Sequence, residues 1–235
     1  MKKIYSVIAV CAALFAAVDA EAQITVGAGY NHGVVTTRTT HNTDTEGLDG
    51  FYVEATYDWN FLERSWGMLA LQPGVRFTYM GDSELEKEPG LTARESFNET
   101  YFDVPVHVKY SYPIGKLTLS AYAGPVFSLG LTSVTKASVS GEFMDYTAKY
   151  HLYSGKLVTK GDAGSSEIGP DGMTADYGRF DLKLGVGVGA AFADRFCVKV
   201  GYNFGLLNRY TGTKIEGVKA SWHTGVFYAG VGISF

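Results

Sequence analysis

Hydrophobic and polar positions alternate along much of this chain. The clearest case is "DLKLGVGVGAAF", residues 181–192, where every second residue is apolar and the other positions carry Asp181, Lys183 and three glycines. A period of two predicts a β-strand with one apolar face. A dinucleotide-binding loop would instead place its glycines at the turn between a strand and a helix, and no helical pattern follows here. We therefore predict no phosphate-binding loop in this stretch.

The same alternation returns in eight segments of about 10 to 14 residues each, the length at which a tilted strand crosses an outer membrane. The predicted fold class is therefore all-β: an eight-stranded antiparallel transmembrane β-barrel with up-and-down topology. The eight predicted segments are residues 23–33, 50–61, 67–80, 99–112, 117–131, 179–192, 196–208 and 223–235.

The connections between these segments alternate between long and short. The short ones contain turn formers, such as Pro113 and Gly115, as expected for periplasmic turns. The long ones are predicted to be extracellular, and the third, residues 132–178, is the largest. An even number of strands returns the chain to its starting side, so both termini are predicted to be periplasmic. Residues 23–235 are predicted to form one barrel domain.

A soluble antiparallel sandwich also alternates apolar and polar positions and is the alternative fold. Aromatic residues favour the barrel because they cluster near the strand ends of the apolar rows. Tyr57 and Trp59 belong to one such cluster, and Phe77 and Phe180 to the other. Two aromatic girdles are typical of the two interfaces of a membrane. The final residue, Phe235, is a terminal aromatic typical of outer-membrane barrels.

The N-terminus predicts export in a Gram-negative bacterium. Residues 1–22 contain two lysines, an apolar run and a small-residue cleavage pattern, and they are predicted to be a cleaved signal peptide. The predicted localisation is the cell outer membrane. The formal net charge is only −4, so no nucleic-acid partner is predicted.

Several segments resemble one known family. They are "YFDVPVHVKYSY", "AYAGPVFSLGL", "DLKLGVGVGAAF", "VGYNFGLLN" and the closing "AGVGISF". Together they resemble the PorT-like outer-membrane β-barrel family of Bacteroidetes. The resemblance implies a small eight-stranded barrel of OmpA/OmpX-like architecture in the outer membrane. It carries no catalytic motif that could be transferred to this chain.

The rows opposite the apolar rows define a predicted lumen. An eight-stranded barrel is only wide enough for its own side chains, so we expect the acids and bases there to neutralise one another as a plug. An ion path or a catalytic group is the alternative. The glycines of residues 181–192 share this row and are expected to make room for long charged neighbours. The predicted lumen network comprises Glu54, Asp58, Arg76, Asp103, His107, Lys109, Arg179, Asp181, Lys183 and Lys199.

A filled lumen leaves recognition to the loops. The third extracellular loop carries four aromatic residues, Phe143, Tyr146, Tyr150 and Tyr153, which are predicted to extend a strand pair beyond the membrane and to present a binding surface. The alternative is that they pack on one another and shield the barrel mouth. Acidic residues later in this loop do not have the spacing of a known calcium loop, so neither a metal nor another cofactor is predicted.

The predicted function is that of a non-enzymatic integral outer-membrane protein with a plugged polar lumen. It would act in envelope structure or in surface binding through its extracellular loops. A porin-like pore for small solutes is the first alternative. A lipid-modifying or peptide hydrolase is the second, suggested by His32, His41, His151 and His223 near the extracellular rim. The predicted partners are outer-membrane lipid and lipopolysaccharide, the barrel-assembly machinery during insertion, and an extracellular partner; the barrel is predicted to be a monomer.

Overall fold

A computed structural model describes residues 23–40, 42–141, 144–161, 164–168, 177–211 and 220–235. The predicted signal peptide, residues 1–22, lies outside the described residues, as do His41 and Phe143. No helix in the described part of the chain is long and apolar enough to cross a membrane.

The described residues form eleven strands. They are β1 (Gln23–Arg38), β2 (Thr43–Arg64), β3 (Gly67–Glu88), β4 (Leu91–Ile114), β5 (Leu117–Gly141), β6 (Met144–His151), β7 (Lys156–Gly161), β8 (Gly164–Ile168), β9 (Phe180–Phe192), β10 (Phe196–Gly205) and β11 (Ser221–Ser234).

Eight of these strands close into a ring. The order around it is β1, β2, β3, β4, β5, β9, β10 and β11, and β11 pairs back with β1. Every neighbouring pair is antiparallel. Closure leaves no free edge within the ring, which is what a strand-built membrane protein requires. The predicted eight-stranded antiparallel barrel is confirmed.

Successive residues of each strand point alternately to the outside and to the inside of the ring. Apolar residues such as Phe51, Val188 and Val231 point outward, with 51%, 54% and 64% of their surface exposed. The residues between them point into the lumen and are mostly buried. Tyr30 on β1, Phe51 on β2 and Tyr79 on β3 are consecutive cross-strand partners on the outward face. They form part of an aromatic girdle at the end away from the termini, the outer girdle, which is typical of one interface of a membrane.

The strands of the ring meet in tight turns at the end that carries both termini of the described chain. This end is predicted to be periplasmic, and we call it the periplasmic end and the opposite one the extracellular end. Only Gly115 and Lys116 separate β4 from β5, and Gly115 has a φ of 63°. Between β9 and β10, Ala193 and Asp194 also have left-handed backbones, with φ of 51° and 52°. The terminal Phe235 joins this end of the ring through its amide, which donates to the Ile24 carbonyl at 2.9 Å.

The strands extend much further on the extracellular side than the sequence predicted. β2, β3, β4 and β5 contain 22, 22, 24 and 25 residues, and only Pro89 and Gly90 separate β3 from β4. The prediction of a long loop between those two strands was wrong. The error has a physical cause. Apart from Leu85, residues 81–88 are polar or glycine on both faces, and in residues 91–98 the apolar row is short and broken by Glu95. Neither stretch has the apolar row that reveals a membrane strand, whereas backbone pairing needs no such row.

The predicted third loop is largely sheet as well. Strands β6, β7 and β8 add successively to the upper half of β5 by antiparallel pairing. The register between β4 and β5 shifts between Thr100 and Tyr101, which leaves Leu131 as an extra residue on β5 and marks where β5 leaves the ring. We call residues 81–98, residues 132–141 and strands β6 to β8 the extension.

Candidate functional site

Glu54 is the centre of one charge cluster in the lumen. Arg76 Nε and Nη2 both donate to Glu54 Oε2, at 3.0 and 2.7 Å, and Lys199 Nζ pairs with Glu54 Oε1. The side chains of Arg76 and Glu54 are only 4% and 1% exposed. The Arg76 guanidinium also lies 4.6 Å from the centre of the Tyr52 ring and 4.2 Å from that of Tyr228. Ion pairing and ring contacts therefore compensate a charge that water does not reach.

Asp58 is the centre of a second charge cluster, nearer the periplasmic end of the ring. Gln72 Nε2 donates to Asp58 Oδ1 at 2.6 Å, and Lys109 Nζ donates to Asp58 Oδ2 at 2.6 Å. Both polar partners line a cavity of about 90 Å³ at the periplasmic end, together with Lys199. The Lys109 side chain is 20% exposed, so this end of the lumen is wetter than the level of Glu54.

Asp103 is the centre of the third cluster, nearer the extracellular side. It accepts hydrogen bonds from Thr78 Oγ1, at 2.7 Å, and from the Ser128 hydroxyl. Lys183 Nζ lies 3.8 Å from Asp103 Oδ1 and 4.5 Å from the centre of the Tyr101 ring. A fully buried carboxylate therefore has one cation and two hydroxyl donors around it.

The structure places nine of the ten predicted lumen residues in the interior. Seven of them are buried: Glu54, Asp58, Arg76, Asp103, His107, Asp181 and Lys183. Lys109 and Lys199 are partly buried. Arg179 does not join them, because it precedes the first residue of β9 and its side chain is exposed. Its guanidinium lies 5.0 Å from the centre of the Tyr153 ring, above the ring of strands.

The lumen glycines make room for tyrosine rings, and the expectation of charged neighbours was wrong at the clearest position. A Cβ atom added to Gly187 would lie 2.4 Å from the Tyr122 ring, and one added to Gly29 would lie 2.8 Å from the Tyr52 ring. Tyr52, Tyr122 and Tyr228 form one buried cluster, in which Tyr228 donates to Tyr122 at 3.2 Å. Each large ring on one strand thus occupies the space that a missing side chain leaves on another.

A second buried cluster, absent from the sequence prediction, closes the extracellular mouth. Its centre is Arg209, which is 1% exposed. Arg209 Nη1 donates to the Tyr101 hydroxyl at 2.5 Å, and Nη2 donates to Tyr153 at 2.7 Å and to Glu99 Oε1 at 3.3 Å. Tyr153 itself donates to Glu99 Oε1 at 3.0 Å. We call Glu99, Tyr101, Tyr153, Tyr177 and Arg209 the mouth cluster.

The mouth cluster joins segments that are distant in the sequence. Tyr177 stacks on Tyr153 with ring centres 5.8 Å apart and lies beneath the Arg209 guanidinium at 4.1 Å. Burial raises the pKa of Tyr153 and of Tyr177, so both rings stay neutral, and Tyr153 keeps the proton that it donates to Glu99. Two loop residues and the segment after β10 are thereby fastened to the barrel wall at Glu99 and Tyr101.

The four loop aromatics predicted to bind a partner have different environments. Tyr146 on β6 is 43% exposed, and Tyr150 is partly buried on the same face of that strand. Tyr153 lies in the mouth cluster instead, so it shields the barrel mouth. Phe143 lies outside the described residues.

The histidines proposed for a hydrolase do not form one site in the described residues. His32, His151 and His223 lie on β1, β6 and β11. His32 Nδ1 is 2.7 Å from Asp49 Oδ1 on the outward face, and the Tyr30 hydroxyl donates to the same oxygen. Across the described ranges, no group of three or more His, Cys, Asp or Glu side chains is placed to hold a metal ion.

Comparison with known proteins gives likenesses to small outer-membrane barrels. No curated protein matches the sequence. The structure is similar to that of Ail, the attachment invasion locus protein of Yersinia pestis, in complex with the heparin analogue sucrose octasulfate, with 16% identity, a TM-score of 0.40, and coverage of 92% of this chain and 99% of that one. For Neisserial surface protein A, the identity is 15% and the TM-score is 0.35, with coverage of 90% of this chain and 97% of that one. For the outer membrane enzyme PagL, the identity is 13% and the TM-score is 0.31, with coverage of 85% of this chain and 97% of that one.

A family model supplies the assignment. The model for the outer membrane protein beta-barrel domain matches residues 16–210, which is most of the chain. The closed ring of antiparallel strands with an apolar outward face agrees with this match. The chain belongs to the outer membrane protein beta-barrel domain family and is an integral protein of the outer membrane.

Proposed function

We propose that this protein is a non-enzymatic outer-membrane barrel that binds a partner at the cell surface through its extension. The observation that carries the proposal is that the sheet continues beyond the closed ring. Among the described residues, β8 pairs with β7 alone, so the extension ends in a strand edge that can pair with another chain. Paired charges and tyrosine rings occupy the ring interior, which leaves the extension as the largest surface for recognition.

The test is a shortened protein in which a short Gly/Ser turn replaces residues 137–176. We expect this variant to remain a barrel whose gel migration changes on heating, because the ring strands are intact. We expect it to lose capture of surface partners. Tyr153→Phe is the matched control, since it alters the mouth cluster but keeps β6, β7 and β8. A shortened barrel that still captures every partner of the full-length protein contradicts the proposal.

We also propose the subgroup, the oligomeric state and the membrane orientation of this protein. We place the chain in the PorT-like subgroup of Bacteroidetes, as a monomer that the barrel-assembly machinery inserts, with lipopolysaccharide around it and both termini in the periplasm. A protease site inserted between Pro89 and Gly90 should be cut on intact cells, and the same site added after Phe235 should be protected. The opposite pattern would reverse the orientation.

A lipid-modifying hydrolase is the second candidate, favoured by the His32–Asp49 pair on the outward face. A carboxylate that orients a histidine is one part of a hydrolytic site. In the described structure, the Tyr30 hydroxyl, rather than a serine hydroxyl, donates to the Asp49 oxygen that His32 contacts. Lipid A from cells that produce the wild type or His32→Ala should have the same acyl chains. Loss of an acyl chain only with the wild type would favour the enzyme.

A further inference from the structure

The extension separates positive from negative charge between its two faces. Directly paired residues of neighbouring strands lie on one face, and the outward face continues the lipid-facing rows of the ring through Tyr79 on β3 and Phe102 on β4. Its bases are Lys87, Arg94, Lys136, Lys149, Lys156 and Lys160, and its acids are Asp145 and Glu167. The opposite face carries Asp82, Glu84, Glu86 and Glu95. The outward face is therefore positive, although the whole chain has a net charge of −4.

Three of the outward lysines are uncompensated within the described structure. Lys156 pairs with Glu167 at 2.6 Å, whereas none of the ion pairs among the described residues involves Lys136, Lys149 or Lys160. Lys136 and Lys149 are direct cross-strand partners. Like charges in this arrangement destabilise a sheet, and an anion bound between them would remove the repulsion.

A concave site lies beside these lysines. It has a volume of about 460 Å³, and its lining includes Lys136, Lys160, Ser138 and Thr147. One carboxylate, Asp145, is also part of the lining, and it accepts a hydrogen bond from the Ser140 hydroxyl. Ammonium and hydroxyl groups are donors to phosphate oxygens. The donor set therefore fits a phosphorylated sugar, whose hydroxyl groups can also bond to serine and threonine.

The height of the site above the membrane identifies the source of the phosphate. Leu129, 41% exposed, and Phe180, 53% exposed, are cross-strand partners at the outer girdle. Lys136 follows Leu131 by five residues on β5. A rise of about 3.3 Å per residue and a tilt near 45° place it about 12 Å above the apolar band. That is above the roughly 5 to 8 Å of an ordinary headgroup layer, and a lysine ammonium on its flexible four-carbon stem can reach down from there to phosphates on the sugars of lipid A.

We propose that the outward face of the extension binds the phosphate groups of lipopolysaccharide in the leaflet from which the barrel rises, through Lys136, Lys149 and Lys160. This contact holds the extension against the surrounding leaflet. The acidic face and the β8 edge take no part in this contact. The binding is independent of the surface partner proposed above, because the three lysines and the β8 edge are different parts of the extension.

The experiment titrates the folded, full-length barrel in neutral detergent micelles. The probes are phosphorylated lipid A, the same lipid A after removal of its phosphates, a soluble phosphorylated core oligosaccharide, and inorganic phosphate. The test variant combines Lys136→Gln, Lys149→Gln and Lys160→Gln. The control variant combines Arg64→Gln, Lys116→Gln and Arg195→Gln, which removes the same charge from exposed positions at the periplasmic end. Heat-dependent gel migration checks that each variant is folded.

We expect the test variant to bind phosphorylated lipid A about tenfold more weakly or worse, since each lysine near an anionic surface contributes to the attraction. The control variant should bind like the wild type, and the affinity of the wild type should fall as salt is raised. Equal affinity of wild type and test variant would overturn the proposal, as would an equal loss in the control. Undiminished binding of dephosphorylated lipid A would overturn the role of phosphate. Binding of the soluble oligosaccharide or inorganic phosphate as tight as that of lipid A would overturn the membrane as its source.

Discussion

The ring and the extension are parts of one continuous sheet, yet they distribute charge in opposite ways. In the ring, the charges point inward, and the carboxylates of Glu54, Asp58 and Asp103 each have a cation partner, as Glu54 has in Arg76 at 2.7 Å with almost no exposure. In the extension, six bases and only two acids point outward while four acids point inward, and three of the outward lysines have no carboxylate partner among the described residues. The period-two pattern defines two faces in both regions, and the medium around each face decides which residues it can carry.

Strand β5 belongs to both regions, and its outward residues differ between them. Below the register shift its outward positions are apolar, as at Leu119, Phe127 and Leu129. Above the shift the outward positions include Lys136 and Ser138, and only one of them, Val134, is apolar. Hydrocarbon excludes unpaired charge, whereas water and phosphate groups accept it. The extra residue Leu131 lies where the surroundings change. It keeps β5 paired with β4 and shifts the outward positions of β5 from odd-numbered to even-numbered residues.

The largest effect is expected from reversing a lumen charge. Lys183→Glu should destabilise the barrel by about 3–5 kcal/mol, because it removes the cation beside Asp103 and adds a second buried negative charge. Lys160→Glu, on the exposed face of the extension, should change stability by about 0.5 kcal/mol or less. Urea unfolding in lipid vesicles measures both. Similar losses for the two variants would remove the contrast between the regions.

Overfilling the lumen should have a smaller effect. Gly187→Ala places a Cβ atom 2.4 Å from the Tyr122 ring and should cost about 1–3 kcal/mol of unfolding free energy. The same substitution in a Tyr122→Ala background should cost much less, because the clash is gone. The double-mutant cycle isolates the contact, and purely additive losses would show that Gly187 does not serve this ring.

Loosening the mouth cluster should affect the extension alone. Tyr153→Phe removes the hydrogen bonds with Arg209 and Glu99 and should cost about 1–2 kcal/mol locally. Amide hydrogen exchange should rise in β6 and β7 and stay unchanged in β1 and β2. The control is Tyr146→Phe, since Tyr146 is an exposed tyrosine of β6 outside the mouth cluster. Faster exchange in the ring as well would show that the two regions open together.

The smallest effect is expected in conductance. The wild type and Tyr153→Phe should both give no stable pore current in planar bilayers, because the Glu54 and Asp103 clusters still cross the lumen below the mouth. Steady, reproducible channels from the wild type would favour the porin-like alternative. Channels that appear only in Tyr153→Phe would make the mouth cluster the gate.

The strands and their faces could be predicted from the sequence because alternation is a local property. The rows of residues 99–112 and 181–192 identify inward Asp103 and Asp181 without knowledge of any neighbour, and both are buried. The same rule failed for Arg179, which has the inward parity but precedes the first paired residue of β9. It also failed for residues 81–98, whose strands lack a continuous apolar row.

Only the tertiary structure decided which residues meet. Arg209 and Glu99 are 110 residues apart, and Tyr228 and Tyr122 are 106 apart, so their contacts exist only once the ring has closed. The sequence by itself determined the eight ring strands, their inward charges and the apolar outward rows, because each depends on the period of a single strand. Strand pairing determined contacts such as Glu54 with Arg76 and Tyr122 with Gly187, and ring closure determined those such as Lys199 with Glu54 and the sealing of the mouth. Both lie beyond the sequence pattern, because a side chain in a narrow lumen contacts other strands rather than its neighbours along the chain.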